Sequence, residues 1–198
     1  MTLVDLLALS PLVFIALGSV LLMLIIAFSR HHGQAVLIAL IWIFASFFIL
    51  LAVAQPRAPH AIGDLLVIDD YALLYMALIL VVTALVTVLA WPYLSVRTQR
   101  PEEYYLLLLL ATAGSMTLVC ASHFITFFLG LELLSIALYA LIAYPKLMPR
   151  PLEAALKYLI LAAVSSAFLL FGMALIYLDT GAMAFAKISE AMALGGGT

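Results

Sequence analysis

Ionisable side chains inside long apolar runs are the residues of this sequence best placed to do chemistry. Glu132 lies within the apolar run 124–144, and Lys157 lies near the start of the run 152–178. A charged side chain at the centre of a membrane-spanning helix costs about 2.5–3.5 kcal/mol on insertion scales. Such residues usually face protein or water and serve ion or proton pathways. The pattern therefore predicts a proton-handling role, above all for Glu132.

The position of Glu132 indicates a polar helix face near the middle of a membrane. At 1.5 Å per residue, Glu132 lies about 12 Å from one end of its run and about 18 Å from the other. Ser135 and Tyr139 follow at i+3 and i+7, so the carboxyl, the hydroxyl and the phenol share one stripe of the helix. We expect this face to look into protein or water. The alternative is a protonated, hydrogen-bonded glutamate with a structural role.

Spacing alone leaves two interpretations of Lys157. It lies about 8 Å from the end of its run, from where a lysine side chain can reach the interface. Glu153 precedes it by four residues, which is the favourable order for an exposed pair within one helix. A depth difference of about 10 Å separates Lys157 from Glu132, which is too far for direct contact. Snorkelling and a role in proton transfer both stay open at this point.

Membrane-spanning helices must hold these side chains, and the composition predicts such helices. Of the 198 residues, 68% are hydrophobic and 9% are charged, and the mean hydropathy is +1.31. The apolar runs are continuous rather than alternating, which excludes a β-barrel and predicts an all-α membrane protein. Six runs are long enough to cross a hydrocarbon core of about 30 Å: 11–28, 35–54, 71–94, 104–121, 124–144 and 152–178. We predict one transmembrane domain, 1–198.

Basic residues between the runs predict the orientation. Those on one side are Arg30, Arg97, Arg100, Lys146 and Arg150. Only Arg57 and Lys187 fall on the other side. The positive-inside rule makes the first side cytoplasmic and places the amino terminus outside. The segment before the first run carries Asp5 but no Lys or Arg, which is unlike a secretory signal peptide.

The net charge, the cysteine count and the polar residues between the runs predict little further chemistry. The net charge of −2 does not favour nucleic acid as a partner, and the single cysteine, Cys120, excludes an internal disulfide or an iron–sulfur site. His31 and His32 lack a third ligand and favour a polar turn over a metal site. Asp69 and Asp70, before the third run, are predicted to cap a helix rather than bind cations. Glu102 and Glu103, before the fourth run, are predicted to lie in a first helical turn. We predict no metal site.

Two motifs carry a family resemblance. The run Leu129-Gly130-Leu131-Glu132-Leu133-Leu134-Ser135 resembles span five of the antiporter-like membrane subunits of respiratory complex I, the proton-pumping NADH–quinone oxidoreductase. The run Glu153-Ala154-Ala155-Leu156-Lys157-Tyr158, with Ser165-Ser166 downstream, is most similar to the N-type (mitochondrial subunit 2) branch of that family. The resemblance implies the amino-terminal part of an antiporter-like helix bundle that contributes to proton translocation coupled to quinone reduction.

The resemblance also implies roles, partners and a location. Glu132 corresponds to a pumping residue, and Lys157 corresponds to a lysine whose role is less defined. The chain would bind no cofactor, since NADH, FMN, iron–sulfur clusters and quinone belong to the rest of the complex. Its partners would be the lipid bilayer and other complex I membrane subunits. It would lie in the bacterial inner membrane with a periplasmic amino terminus, or in the mitochondrial inner membrane if organellar.

Family members have many more spans than six, so we expect the chain to be the amino-terminal portion of a longer subunit. Two alternatives to the proposed role in complex I stay open. The same scaffold occurs in cation/proton antiporters and membrane-bound hydrogenases, so the chain could serve one of those complexes. A purely structural membrane scaffold belongs to a different class, and replacing Glu132 by Gln would then leave activity unchanged.

Overall fold

The structure, a computed structural model, describes residues 3–98, 100–144 and 149–193. Of the basic residues used to predict the orientation, Lys146 lies outside these ranges. The elements, in chain order, are α1 Leu3–Ala8, α2 Ser10–Phe28, α3 His32–Ile49, β1 His60–Ile62, β2 Leu66–Ile68, α4 Asp70–Arg97, α5 Glu102–Cys120, α6 Phe124–Ile142, α7 Pro149–Thr180 and α8 Phe185–Ala193.

Six of these helices, α2 to α7, are long and apolar enough to cross a membrane. Each overlaps one of the predicted apolar runs, so the predicted all-α fold with six spans is confirmed. Helix α3 continues beyond Ile49 as a π-helical turn, Leu50–Ala54, and a 3-10 turn, Gln55–Arg57. The predicted run and the observed span therefore end within a few residues of each other.

The protein core lies among α2, α3, α4 and α5. Ile15, Leu22, Ile43, Leu80 and Leu109, which come from all four helices, are almost completely buried. Helix α7 is the opposite case, because only 6% of its membrane-spanning stretch is buried inside the protein. It contacts α6 on one side, and most of its large apolar side chains are exposed. Helices α6 and α7 thus form the open side of the bundle.

Three connections meet at one end of the bundle, which we call the hairpin face. Strands β1 and β2 pair antiparallel around Gly63, whose φ of +56° suits a residue without a side chain. Leu66 of this hairpin forms a bridge to Ala121, and His123 forms a bridge to Ala184. The hairpin, the α5–α6 connection and the α7–α8 connection are therefore joined by backbone hydrogen bonds.

An ion pair and a histidine–aspartate contact reinforce the hairpin face. His60 Nε2 lies 2.8 Å from Asp5 Oδ1, which ties α1 to β1. Lys187 of α8 donates to Asp64 in the hairpin turn. This hydrogen bond, together with the attraction between the two charges, lowers the pKa of Asp64 and raises the pKa of Lys187. The pair is therefore fully charged near neutral pH, although its exposure to solvent makes it a weak source of stability.

The opposite end of the bundle, which we call the basic face, joins the start of α5 to its neighbours. Arg30, in the α2–α3 connection, pairs with Glu103 at 3.5 Å. Tyr144, just after α6, donates a hydrogen bond from its hydroxyl to the carbonyl oxygen of Arg100. Burial raises the pKa of Tyr144 to about 12, so its phenol stays protonated and available as a donor.

The predicted capping of α4 is confirmed for Asp69. This residue is the N-cap, and its Oδ1 accepts a hydrogen bond of 2.8 Å from the backbone N–H of Ala72. Asp70 occupies the first turn, where a carboxylate is stabilised by the positive end of the helix dipole. The two adjacent acids therefore act on the helix in different ways.

Replacing Asp69 by alanine should destabilise the start of α4 by about 1 kcal/mol, because an N–H at the helix start loses its acceptor. Hydrogen exchange followed by mass spectrometry should show faster exchange in a peptide that contains Ala72. Asp70→Ala is the matched control, since it removes a charge but no capping hydrogen bond. Equal exchange in the two variants would show that the cap contributes nothing beyond its charge.

Candidate functional site

The local packing of α6 fixes the position of Glu132. Gly130 of α6 lies against Gly114 of α5, and a Cβ added at Gly130 would come within 3.0 Å of the backbone nitrogen of Leu118. A Cβ at Gly114 would come within 2.6 Å of the backbone nitrogen of Leu134. Only glycine permits this approach of the two backbones, as at small-residue contacts between membrane helices generally. Glu132 thus projects from the part of α6 that is held most tightly against α5.

Glu132 is half-buried, and α7 supplies its hydrogen-bond partner. Ser166 Oγ donates to Glu132 Oε1 at 2.5 Å. The carboxyl group therefore lies at the α6–α7 boundary rather than on a face of α6 covered only by lipid. At Glu132, the polar stripe of α6 therefore faces another helix of the same chain.

Sequence reasoning missed the role of Ser166. In the sequence, Ser166 belongs to a stretch of small residues on α7 that indicates close helix packing and no chemistry of its own. A signal was present, because a serine hydroxyl in a lipid-spanning helix needs a partner. The sequence did not reveal which helix would supply that partner.

A cleft of about 510 Å³ lies beside this hydrogen bond, between α6 and α7. Of the predicted polar stripe, Ser135 lines the cleft, whereas Tyr139 is not among its lining residues. Ser165, Ser166 and Tyr158 line it from α7, and the rest of the lining is apolar. The cleft is partly open and its lining is mostly apolar, and the hydroxyl groups of these four residues form its polar part.

Lys157 lies apart from this site. Its Nζ is 2.5 Å from Glu153 Oε1, and the two side chains are 70% and 64% exposed. The i, i+4 pair that the spacing predicted is therefore present. Within the described ranges, ion pairs join Arg30 to Glu103, Lys157 to Glu153 and Lys187 to Asp64, and His60 contacts Asp5. None of them includes Glu132, so the structure does not bring the two predicted site residues together.

The arrangement around Glu132 is suited to moving a proton rather than an electron. A carboxyl group takes up and releases protons, and serine and tyrosine hydroxyls both donate and accept hydrogen bonds. Within the three described ranges, no group of three or more His, Cys, Asp or Glu side chains is arranged to hold a metal ion. Cys120 is buried and unpaired. The Glu132 carboxyl and its hydroxyl neighbours are groups that can take part in acid–base chemistry.

Comparison with known protein sequences gives two findings. Residues 121–197 match a family model described as NADH:quinone oxidoreductase/Mrp antiporter, TM. The chain is 47% identical over 193 residues to the NADH-quinone oxidoreductase subunit N of Nitrosospira multiformis. This alignment covers 98% of the chain and 38% of that relative, so the chain spans less than half the length of the protein it matches.

Two solved structures have a similar fold. A chain of respiratory complex I from Thermus thermophilus, solved with bound aureothin, matches with a TM-score of 0.75 and 31% identity, over 88% of this chain and 38% of that one. A chain of the membrane-bound sulfane sulfur reductase, an archaeal respiratory membrane complex, matches with a TM-score of 0.79, over 96% of this chain and 40% of that one. Because its identity is only 23%, this second match concerns the fold alone.

Proposed function

We infer that this chain belongs to the antiporter-like membrane subunits of NADH–quinone oxidoreductase, and we propose that it contributes to proton translocation coupled to quinone reduction. The sequence similarity to subunit N and the structural similarity to a complex I chain support the assignment. Because the chain covers 38% of the matched relative, the reaction of the whole complex is assigned to it only as part of this proposal.

The observation that carries the proposal is the environment of Glu132. The residue lies in the central part of a membrane-spanning helix and accepts a hydrogen bond from Ser166, which itself lines the cleft between α6 and α7. An acid kept at such a depth is costly and is usually retained for ion or proton transfer. Glu132 is accordingly the residue that binds and releases the transported proton.

The proposed mechanism uses the acceptor capacity of the Glu132 carboxylate. In the ionised state Glu132 accepts the hydrogen bond from Ser166, and its negative charge would attract a proton from water that enters the site. A cation that approaches from a neighbouring helix favours the ionised form, and its withdrawal favours the protonated form. Movement of that cation would make Glu132 release and rebind its proton. The cation would come from another part of the complex, since Lys157 is paired with Glu153.

The remaining features of the proposal follow from membership of the complex. The chain would lie in a respiratory inner membrane with its basic face towards the cytoplasm, according to the positive-inside rule. Its partners would be the other membrane subunits, which would cover the exposed side of α7. NADH, FMN, iron–sulfur clusters and quinone would be bound elsewhere in the complex. The chain would thus take part in an enzymatic reaction without a redox centre of its own.

Co-purification tests the assignment to the complex. A chain tagged at its amino terminus and expressed at its natural level should be recovered from detergent extracts with NADH–quinone reductase activity. Recovery with an enzyme that lacks this activity, such as a cation/proton antiporter, would contradict the proposal. The antiporter remains the second candidate because the matching family model is described for both kinds of protein.

Replacing Lys157 by alanine should lower proton pumping by less than about twofold, because it removes only about 0.3–0.5 kcal/mol of helix stability and leaves Glu132 unchanged. Pumping by the complex in sealed vesicles is the measurement. Glu153→Ala removes the other half of the pair and is the matched control. A loss in Lys157→Ala that is much larger than in Glu153→Ala would contradict snorkelling and assign Lys157 a direct role.

A further inference from the structure

A second cleft, of about 390 Å³, lies at the basic face and shares no lining residue with the cleft between α6 and α7. The end of α4, the start of α5 and the segment after α6 each contribute a tyrosine: Tyr93, Tyr104 and Tyr144. The other lining residues are aliphatic and come from α4 and α6: Val86, Leu89, Ala90, Leu94 and Leu141. The cleft therefore has apolar walls, with phenol groups as its polar part.

The character of this cleft changes along its length. On α4 its lining extends from Leu94 back to Val86, which is about 12 Å at 1.5 Å per residue. Val86 lies towards the middle of the spanning helix, whereas Tyr93 and Tyr144 lie at the end near the basic face. Tyrosine side chains are enriched at the level of lipid headgroups. An apolar deep end and a polar outer end fit an amphipathic molecule.

Contacts of Tyr144 place Arg100 at the outer end of the cleft. Tyr144 is only 7% exposed, and its hydroxyl donates to the carbonyl oxygen of Arg100. Its ring packs edge-on against Tyr104, with centroids 5.9 Å apart. The backbone N–H of Arg100 donates to Thr98 Oγ1 at 3.1 Å, which holds the α4–α5 connection in a tight turn. The side chain of Arg100 is exposed, so it extends into solvent from the rim of the cleft.

The charges around the rim favour an anionic ligand. Arg100 forms no ion pair with any described side chain, whereas Arg30 is paired with Glu103. Glu102 is buried, so its carboxyl group is withdrawn from the surface. With Arg97 at the end of α4, three arginines face two acids in this part of the basic face. A guanidinium without a carboxylate partner is suited to phosphate, which it binds through paired N–H donors.

We propose that this cleft binds an anionic phospholipid. One acyl chain packs against the aliphatic side chains of α4 and α6, and the phosphate is bound by the guanidinium of Arg100. The phenol groups of the cleft lie between these two ends, at the level of the lipid's ester oxygens. A neutral lipid, or an apolar helix of a partner subunit, would leave the Arg100 guanidinium without a counter-charge. The unpaired charge at the rim therefore favours the anionic lipid over both.

Such a lipid has a structural consequence for the bundle. Helices α4 and α6 both pack on α5, and the cleft is the gap between their ends at the basic face. An acyl chain in this gap would contact both helices and bury apolar surface that the chain itself leaves uncovered. The site includes neither Glu132 nor the cleft between α6 and α7. Its existence is therefore independent of the proposed role in proton transfer.

Photocrosslinking of the purified complex in lipid nanodiscs tests the site. The probe is phosphatidylglycerol with a diazirine in one acyl chain, and phosphatidylcholine with the same diazirine is its neutral counterpart. After illumination, mass spectrometry should find phosphatidylglycerol attached to peptides that contain Leu89 or Leu141, at a higher yield than phosphatidylcholine. Equal yields for the two lipids would overturn the proposal. Absence of label from both peptides, the result expected if a partner helix covers the cleft, would also overturn it.

Replacing Arg100 by glutamine should lower the phosphatidylglycerol yield about fivefold, the equivalent of about 1 kcal/mol for one basic residue at an anionic surface. The phosphatidylcholine yield should stay the same. Arg150→Gln is the matched control, because it removes an exposed arginine from the start of α7, outside the cleft. An equal loss in the two variants would assign the effect to the general charge of the basic face and overturn the site.

A second comparison tests the apolar part of the cleft without changing a charge. Leu89 lines the cleft and is 70% exposed, so Leu89→Trp should fill part of the cleft without disturbing the core. Labelling at Leu141 should then fall for both lipids. Leu85→Trp is the control, because Leu85 lies one turn away, is 58% exposed and does not line the cleft. Equal labelling at Leu141 in these two variants would show that the acyl chain lies elsewhere.

Discussion

Replacing Glu132 by glutamine should lower proton pumping by at least about tenfold and leave the complex assembled, since groups that transfer protons commonly contribute factors of a hundred or more. Glutamine has nearly the same shape and can still accept the hydrogen bond from Ser166, but it cannot take up or release a proton. Packing at the α6–α7 boundary is therefore preserved while the chemistry is lost. Quinone reduction coupled to pumping should fall as well.

The measurement is acidification inside vesicles that contain the purified complex, started with NADH and a quinone. Glu153→Gln is the matched control, because it removes an exposed carboxylate that pairs with Lys157 on α7. Glu132→Ala should reduce pumping similarly, with an added loss of contact to Ser166. Unchanged pumping in Glu132→Gln, or an equal loss in Glu153→Gln, would contradict the proposed role and favour a structural scaffold.

Much of the architecture could be predicted because each span must satisfy the same constraint. A lipid-spanning helix needs about twenty apolar residues and satisfies its backbone N–H and C=O groups internally. Its position therefore appears in the sequence as a continuous apolar run. The predicted runs overlap all six observed spans, and Asp69 caps α4 as expected. The depth of Glu132 and the pairing of Lys157 with Glu153 also follow from spacing along a single helix.

Contacts between distant segments could not be predicted in this way. The partner of Glu132 is Ser166, 34 residues further along the chain, and only the packing of α7 on α6 brings them together. The bridges of the hairpin face likewise join segments that carry no pairing signal. Glu102 was predicted to be an ordinary acid in a first helical turn. In the structure Glu102 is buried, and spacing along α5 alone does not reveal which side chains of other helices cover it.

Gly114 is the residue whose replacement should most disturb the position of Glu132. In Gly114→Ala, the new Cβ would lie 2.6 Å from the backbone nitrogen of Leu134, so α5 and α6 would have to separate. We expect a destabilisation of about 1–3 kcal/mol, the usual cost of overpacking. Gly130→Ala should cost less, since its closest contact would be 3.0 Å. Because Glu132 lies two residues from Gly130, pumping should fall together with stability.

Heating the purified complex in detergent and following both unfolding and residual pumping would measure this effect. Gly172→Ala is the matched control, because a Cβ at Gly172 would have no atom within 4 Å. Alanine favours a helix over glycine by up to about 1 kcal/mol, so Gly172→Ala should be neutral or slightly stabilising. If Gly114→Ala is as stable as Gly172→Ala, the close contact between α5 and α6 does not position Glu132. If Gly114→Ala unfolds earlier but pumps normally until it unfolds, the contact supports the fold without tuning the site.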